Sequence, residues 1–176
     1  MKSHSTHDYG ALIEPATVKI ERRLPGPIER VWAYLTQSDL RRQWLAAGDM
    51  PMKVGASFEL VWRNNELTNP PGTNPFDGSG EHRMTSRLTG VDPPRKLSFE
   101  WGDTGGVTFE LEEQGDEVLL KVIHRRLPDR KMLLLVSTGW HAHLDVLVAR
   151  MRGEEPDPFW DRFTALRSEY DARLPA

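Results

Sequence analysis

Residues 129–152 read DRKMLLLVSTGWHAHLDVLVARMR. Met132, Leu133, Val136, Trp140, His143, Leu144, Leu147, Val148 and Met151 recur at three and four residues. That spacing stacks them on one side of an α-helix, within an arc of roughly 160°. Asp129 opens the segment and Gly153 closes it, residue types that start and stop helices. A helix this apolar must bury its stripe, and the residues before it are strand-like, so a sheet is the expected partner. One histidine, His143, lies inside the stripe.

The strands are read from period-two alternation. Thr17–Leu24 alternates Val18, Ile20 and Arg22 against Lys19, Glu21 and Arg23. Ala56–Arg63 carries Phe58, Leu60 and Trp62 on one side. Glu81–Val91 places His82, Met84, Ser86 and Leu88 together, and Lys96–Trp101 groups Leu97, Phe99 and Trp101. Val107–Glu113 groups Val107, Phe109 and Leu111. Glu117–Leu127 groups Val118, Leu120, Val122 and His124. Short turns at Asp92-Pro93-Pro94, Gly102–Gly106 and Gly115-Asp116 predict an antiparallel meander, with one face covered and one in water.

Between the first two strands, Pro25-Gly26-Pro27 leads into a helix carrying Ile28, Val31, Trp32 and Leu35. Ser38 is placed as the cap of a second short helix, Asp39–Leu45, bearing Leu40, Trp44 and Leu45. The pair does not read as a DNA-binding unit, because the chain is acidic overall. Asn64–Ser79 is a long Asn/Pro/Gly-rich loop, a candidate lid. Residues 1–15 read as a polar leader containing His4 and His7. Residues 16–153 form the main domain. Residues 154–176 form a C-terminal helical extension with Phe159, Phe163, Leu166 and Tyr170 in helical register, a candidate homodimer surface.

Composition narrows the function classes. The 176 residues suit one domain, net charge −3 with 28% charged residues is ordinary for a protein in water, and there is no cysteine. Disulfides, thiolate metal sites and cysteine nucleophiles are therefore excluded. The pairs Arg22-Arg23, Arg41-Arg42 and Arg125-Arg126 read as solvated surface, not a nucleic-acid patch. No uninterrupted apolar run approaches the ~20 residues of a membrane span, and Met1–Gly10 has no signal-peptide core, so a cytoplasmic protein is expected.

The candidate site follows from the aromatic strand faces opposite the long helix. A pocket between them is expected to have walls of Trp44, Phe58, Trp62, Met84, Phe99, Trp101, Phe109, Trp140 and Leu144. His124 and His143 supply the polar anchors. Residues two apart on a helix point about 200° away from each other, so His141 and His143 cannot share a metal. Ser137, His141 and Asp145 stand at steps of four, but with no nucleophile turn or oxyanion hole they read as a solvated helix face, not a triad. No catalytic residue, metal or cofactor is assigned.

Five segments carry a resemblance to a known family: PIERVWAYL (27–35), Trp44, DPPRKLSFEW (92–101), HRRLPD (124–129) and GWHAHLDVL (139–147). Their order resembles the START-like (SRPBCC) superfamily, within it the group similar to the C-terminal domain of the activator of the Hsp90 ATPase. The resemblance implies an α+β helix-grip (Bet v 1-like) fold, an antiparallel sheet curved around a long C-terminal helix, here with an extra terminal helix. It implies a cavity for a small apolar molecule. It leaves open a cyclase- or hydratase-like enzyme using a cavity histidine, and an interaction module that stimulates a chaperone ATPase.

Overall fold

The computed structural model describes residues 9–14, 16–76, 81–101 and 105–174. His4 and His7, loop residues 77–80 and turn residues 102–104 lie outside the described residues.

Among the described residues, seven strands form one antiparallel sheet. In chain order they are β1 (Ala11–Glu14), β2 (Thr17–Pro25), β3 (Ser57–Arg63), β4 (Glu81–Asp92), β5 (Lys96–Glu100), β6 (Gly106–Gln114) and β7 (Glu117–Arg125). The spatial order is β1-β2-β7-β6-β5-β4-β3. From β3 to β7 every strand pairs with its sequence neighbour, the meander that the short turns predict. β2 joins it through β7, pairing Val18 with His124, Ile20 with Val122 and Leu24 with Val118. The inward rows are the alternating residues: Val107, Phe109 and Leu111 of β6, and Val118, Leu120, Val122 and His124 of β7, are all buried. β1 falls inside the segment expected to be leader. Four residues are too few for alternation to register.

The helices are α1 (Ile28–Thr36), α2 (Ser38–Arg41), α3 (Arg130–Arg152) and α4 (Phe159–Arg173). Asp129 caps α3 by accepting from Met132 N (2.9 Å). Gly153 ends it at φ 68°, a left-handed conformation that costs glycine little. α2 is shorter than expected, and Ser38 does not cap it: the Ser38 hydroxyl instead accepts from Gly48 N (2.9 Å).

α3 lies along the inner face of the curled sheet. It is buried on its apolar stripe and also on the side expected to face water, where Ser137 and His141 are 1% and 0% exposed. The reason is α4. Its Phe159, Trp160, Phe163, Leu166 and Tyr170 are all buried, so its apolar face is covered within this chain. Several polar side chains pair at this seam. Tyr170 Oη accepts from Gly10 N (2.7 Å) and meets His141 Nδ1 (2.8 Å). Asp145 takes Arg22 (3.3 Å) and Arg162 (3.2 Å), one through each carboxylate oxygen. A helix packed on more than one side can pass the length and apolarity criteria for a membrane span. Among the described residues α3 is the one helix that does, with 67% of its apolar window buried inside the protein.

Two arginines read as surface are core. Arg22 points inward from β2 toward Asp145. Arg41 is fully buried, and its guanidinium donates to the carbonyls of Leu35, Thr36, Ala46 and Gly48. It thereby holds the connection between α1 and β3 from inside.

Candidate functional site

The sheet and α3 do not fill the space between them. A cavity of about 620 Å³ remains, within the size range of small-molecule sites. Trp62 at the end of β3, Met84 on β4 and Trp101 just after β5 form its sheet side. Met132, Leu135, Val136, Gly139, Trp140 and His143 form its α3 side. α4 adds Trp160 and Phe163, and the β3–β4 loop adds Asn64, Asn74 and Phe76. Gly139 opens the α3 wall, since a Cβ built there meets nothing within 4 Å.

Five of the eleven residues expected at the site lie on this wall: Trp62, Met84, Trp101, Trp140 and His143. The other six sit behind it. Phe58, Phe99 and Phe109 pack ring on ring at 5.7 Å, and Trp44 lies 6.4 Å from Phe109 with its indole N–H on Tyr34 O (2.9 Å). These rings and the fully buried Leu144 close one end of the sheet as solid core. Alternation gives the side of the sheet a residue faces, but not its depth along the groove.

His124 also lies behind the wall, with Trp101 edge-on at 4.9 Å. Trp140 Nε1 donates to His124 Nδ1 (3.0 Å), which puts the imidazole proton on Nε2. Nε2 is buried with no partner. Burial lowers the His124 pKa from 6.5 to about 4, so the ring is neutral.

His143 stands on the cavity wall with the opposite tautomer. Its Nδ1 lies 2.9 Å from Trp44 O. A carbonyl only accepts, so Nδ1 carries the proton and Nε2 a lone pair. Burial takes this pKa also to about 4, against the opposing effect of the Trp44 hydrogen bond. Phe159 packs on the ring at 4.9 Å. His82 sits at the exposed rim, 5.6 Å from Trp62. The three histidines therefore do not converge, and no group of three metal-binding side chains occurs among the described residues.

The α4 contribution was not legible beforehand. Phe163 was placed on an amphipathic helix, but nothing local says where that helix docks. The docking is specific. Trp160 Nε1 donates to Asn65 Oδ1 (2.7 Å), Phe159 N to Thr68 Oγ1 (2.9 Å), Trp160 N to Pro71 O (2.9 Å) and Thr73 N to Asp161 Oδ1 (3.0 Å). Phe76 packs on Trp160 and Phe163. The loop expected to be a lid is thus stapled to the first turn of α4. Ser137, His141 and Asp145 do share one face of α3, but beneath α4 and away from the cavity.

The sequence model of the family described as Activator of Hsp90 ATPase homolog 1-like protein matches residues 25–152. No curated protein matches the chain. Among solved structures, the protein encoded by gene BPP1335 of Bordetella parapertussis is 38% identical, with TM-score 0.79. The match covers 100% of this chain and 97% of that one. CalU16 from Micromonospora echinospora is 25% identical with TM-score 0.67, over 90% of this chain and 87% of that one. The conserved protein of unknown function EF2215 from Enterococcus faecalis shares the fold at 20% identity and TM-score 0.67, over 92% and 86%.

Proposed function

From the premise that this chain belongs to the Activator of Hsp90 ATPase homolog 1-like family, of START-like fold, we propose that it binds a small apolar molecule between the sheet and α3. The observation that carries this reading is the cavity of about 620 Å³ walled by Trp62, Trp101, Trp140, Trp160, Phe76 and Phe163. Rings at such a wall gain by excluding water from a ligand's surface, at roughly 25 cal/mol per Å² of apolar area covered. The cavity histidine favours binding over proton transfer. A base whose conjugate acid has a pKa of about 4 accepts protons poorly near neutral pH.

The test is a titration with Nile red, an uncharged dye that brightens in apolar surroundings. The native chain is expected to give saturable enhancement. Gly139→Leu, which projects a side chain into the open space at Gly139, is expected to keep the far-UV circular dichroism and lose the enhancement. A native chain that gives none, or a folded Gly139→Leu that binds as well as the native chain, contradicts the proposal.

A further inference from the structure

An apolar cavity alone would accept any molecule of suitable size, but this one also presents a directional polar atom. Trp44 O holds His143 Nδ1 and so fixes Nε2 as an acceptor at the wall. His143 is 6% exposed and its ring is braced by Phe159, so the lone pair has a set direction. Asn64, also on the wall, has its side-chain oxygen buried with no partner. Two of the indole N–H donors on the wall are already engaged inside the protein, Trp140 with His124 and Trp160 with Asn65. The wall carries no lysine or arginine among the described residues. Its one carboxylate, Glu81, is on the rim with Arg63 (3.2 Å) and Arg83 (3.4 Å).

We propose that the ligand is an uncharged, ring-containing molecule that donates a hydrogen bond from an O–H or N–H to His143 Nε2, with Asn64 as a second acceptor, and that carboxylates are rejected. This inference rests on the reading that the cavity binds apolar molecules. The rings supply apolar area without direction, whereas a wall acceptor that loses water to a ligand and gains no donor costs the free energy of its lost hydration. A ligand with a donor at that point removes the cost, and one with only an acceptor leaves it. A carboxylate brings a charge to a wall that carries no lysine or arginine among the described residues to pair with it.

The test compares pyrene, hydroxypyrene, methoxypyrene and pyrene carboxylate by fluorescence titration near neutral pH. Hydroxypyrene is expected to bind roughly three- to tenfold tighter than methoxypyrene, the ratio for one hydrogen bond gained. Pyrene carboxylate is expected to bind weakest. His143→Phe is expected to lose the hydroxyl preference, the affinity ratio of hydroxypyrene to methoxypyrene falling to about one. His143→Gln, whose amide can both donate to Trp44 O and present an acceptor, is expected to regain part of it.

A measurement on the native chain needs no variant. The ¹⁵N resonance of His143 Nε2 is expected to shift with hydroxypyrene and not with methoxypyrene. Equal affinity for hydroxy- and methoxypyrene, or a preference that survives His143→Phe, overturns the donor assignment while the cavity reading stands. No binding of any pyrene overturns both.

Discussion

Lowering the pH tests the two buried histidines together. His124 and His143 fold with pKa values of about 4, against 6.5 for an exposed histidine. A depressed folded-state pKa means that the unfolded chain binds more protons, so stability is complete above pH 6.5 and falls as pH drops toward 4. At pH 5 the unfolded imidazole lies roughly 1.5 pH units below its pKa. At 1.36 kcal/mol per unit each histidine then costs about 2 kcal/mol, and the pair about 4 kcal/mol. Against a typical domain stability of 5–15 kcal/mol, roughly, that is a large fraction. Urea denaturation at pH 8 and pH 5 measures the loss directly. His124→Phe is expected to remove about half of the pH dependence, whatever it does to absolute stability. Proton NMR of the imidazole C–H resonances reads the same quantity site by site. A midpoint near 6.5 for either ring, or urea midpoints that agree at the two pH values, refutes the reasoning.

Three further outcomes follow from single positions. Gly48 has φ 131°, and a Cβ there would lie 1.8 Å from Glu59 O. Gly48→Ala is therefore expected to cost roughly 3 kcal/mol or more, read as a lower urea midpoint. Gly139→Ala adds a methyl into open space in mid-helix. It is expected to gain about 0.5–1 kcal/mol, seen as a raised melting temperature, while weakening Nile red binding. Arg41→Met leaves four backbone carbonyls without their buried donor. It is expected to cost about 3 kcal/mol or more by urea denaturation, with Arg41→Lys a partial rescue because one ammonium cannot span all four.

The meander and α3 could be read from the sequence because the causes are local. Period-two rows such as Val107, Phe109 and Leu111 need only their own strand to be recognised. Asp129 and Gly153 mark the helix ends by side-chain and backbone chemistry that acts within one turn. The misreadings have non-local causes. Arg22 and Arg41 looked solvated because charge predicts exposure, until an Asp145 on another element or a ring of carbonyls supplies partners. Ser137 and His141 looked outward because α4 lies beyond the helix being read. The site divides the same way. Trp62, Trp101 and Trp140 follow from side and periodicity, whereas Asn64, Trp160 and Phe163 depend on a loop and a terminal helix meeting. The tautomer of His143 depends on a carbonyl 99 positions earlier in the chain, which no spacing rule reaches.

The cover over α3 comes from two separate parts of the chain: every described strand of the sheet precedes residue 130, and α4 follows α3. The sheet packs on one side of α3 and α4 on another. A segment of membrane-spanning length and apolarity therefore keeps its apolar surface from water in part through a terminal helix. Undocking of α4 would uncover that surface, together with the rings of Phe159, Trp160 and Phe163, as one contiguous apolar patch of the kind that drives aggregation.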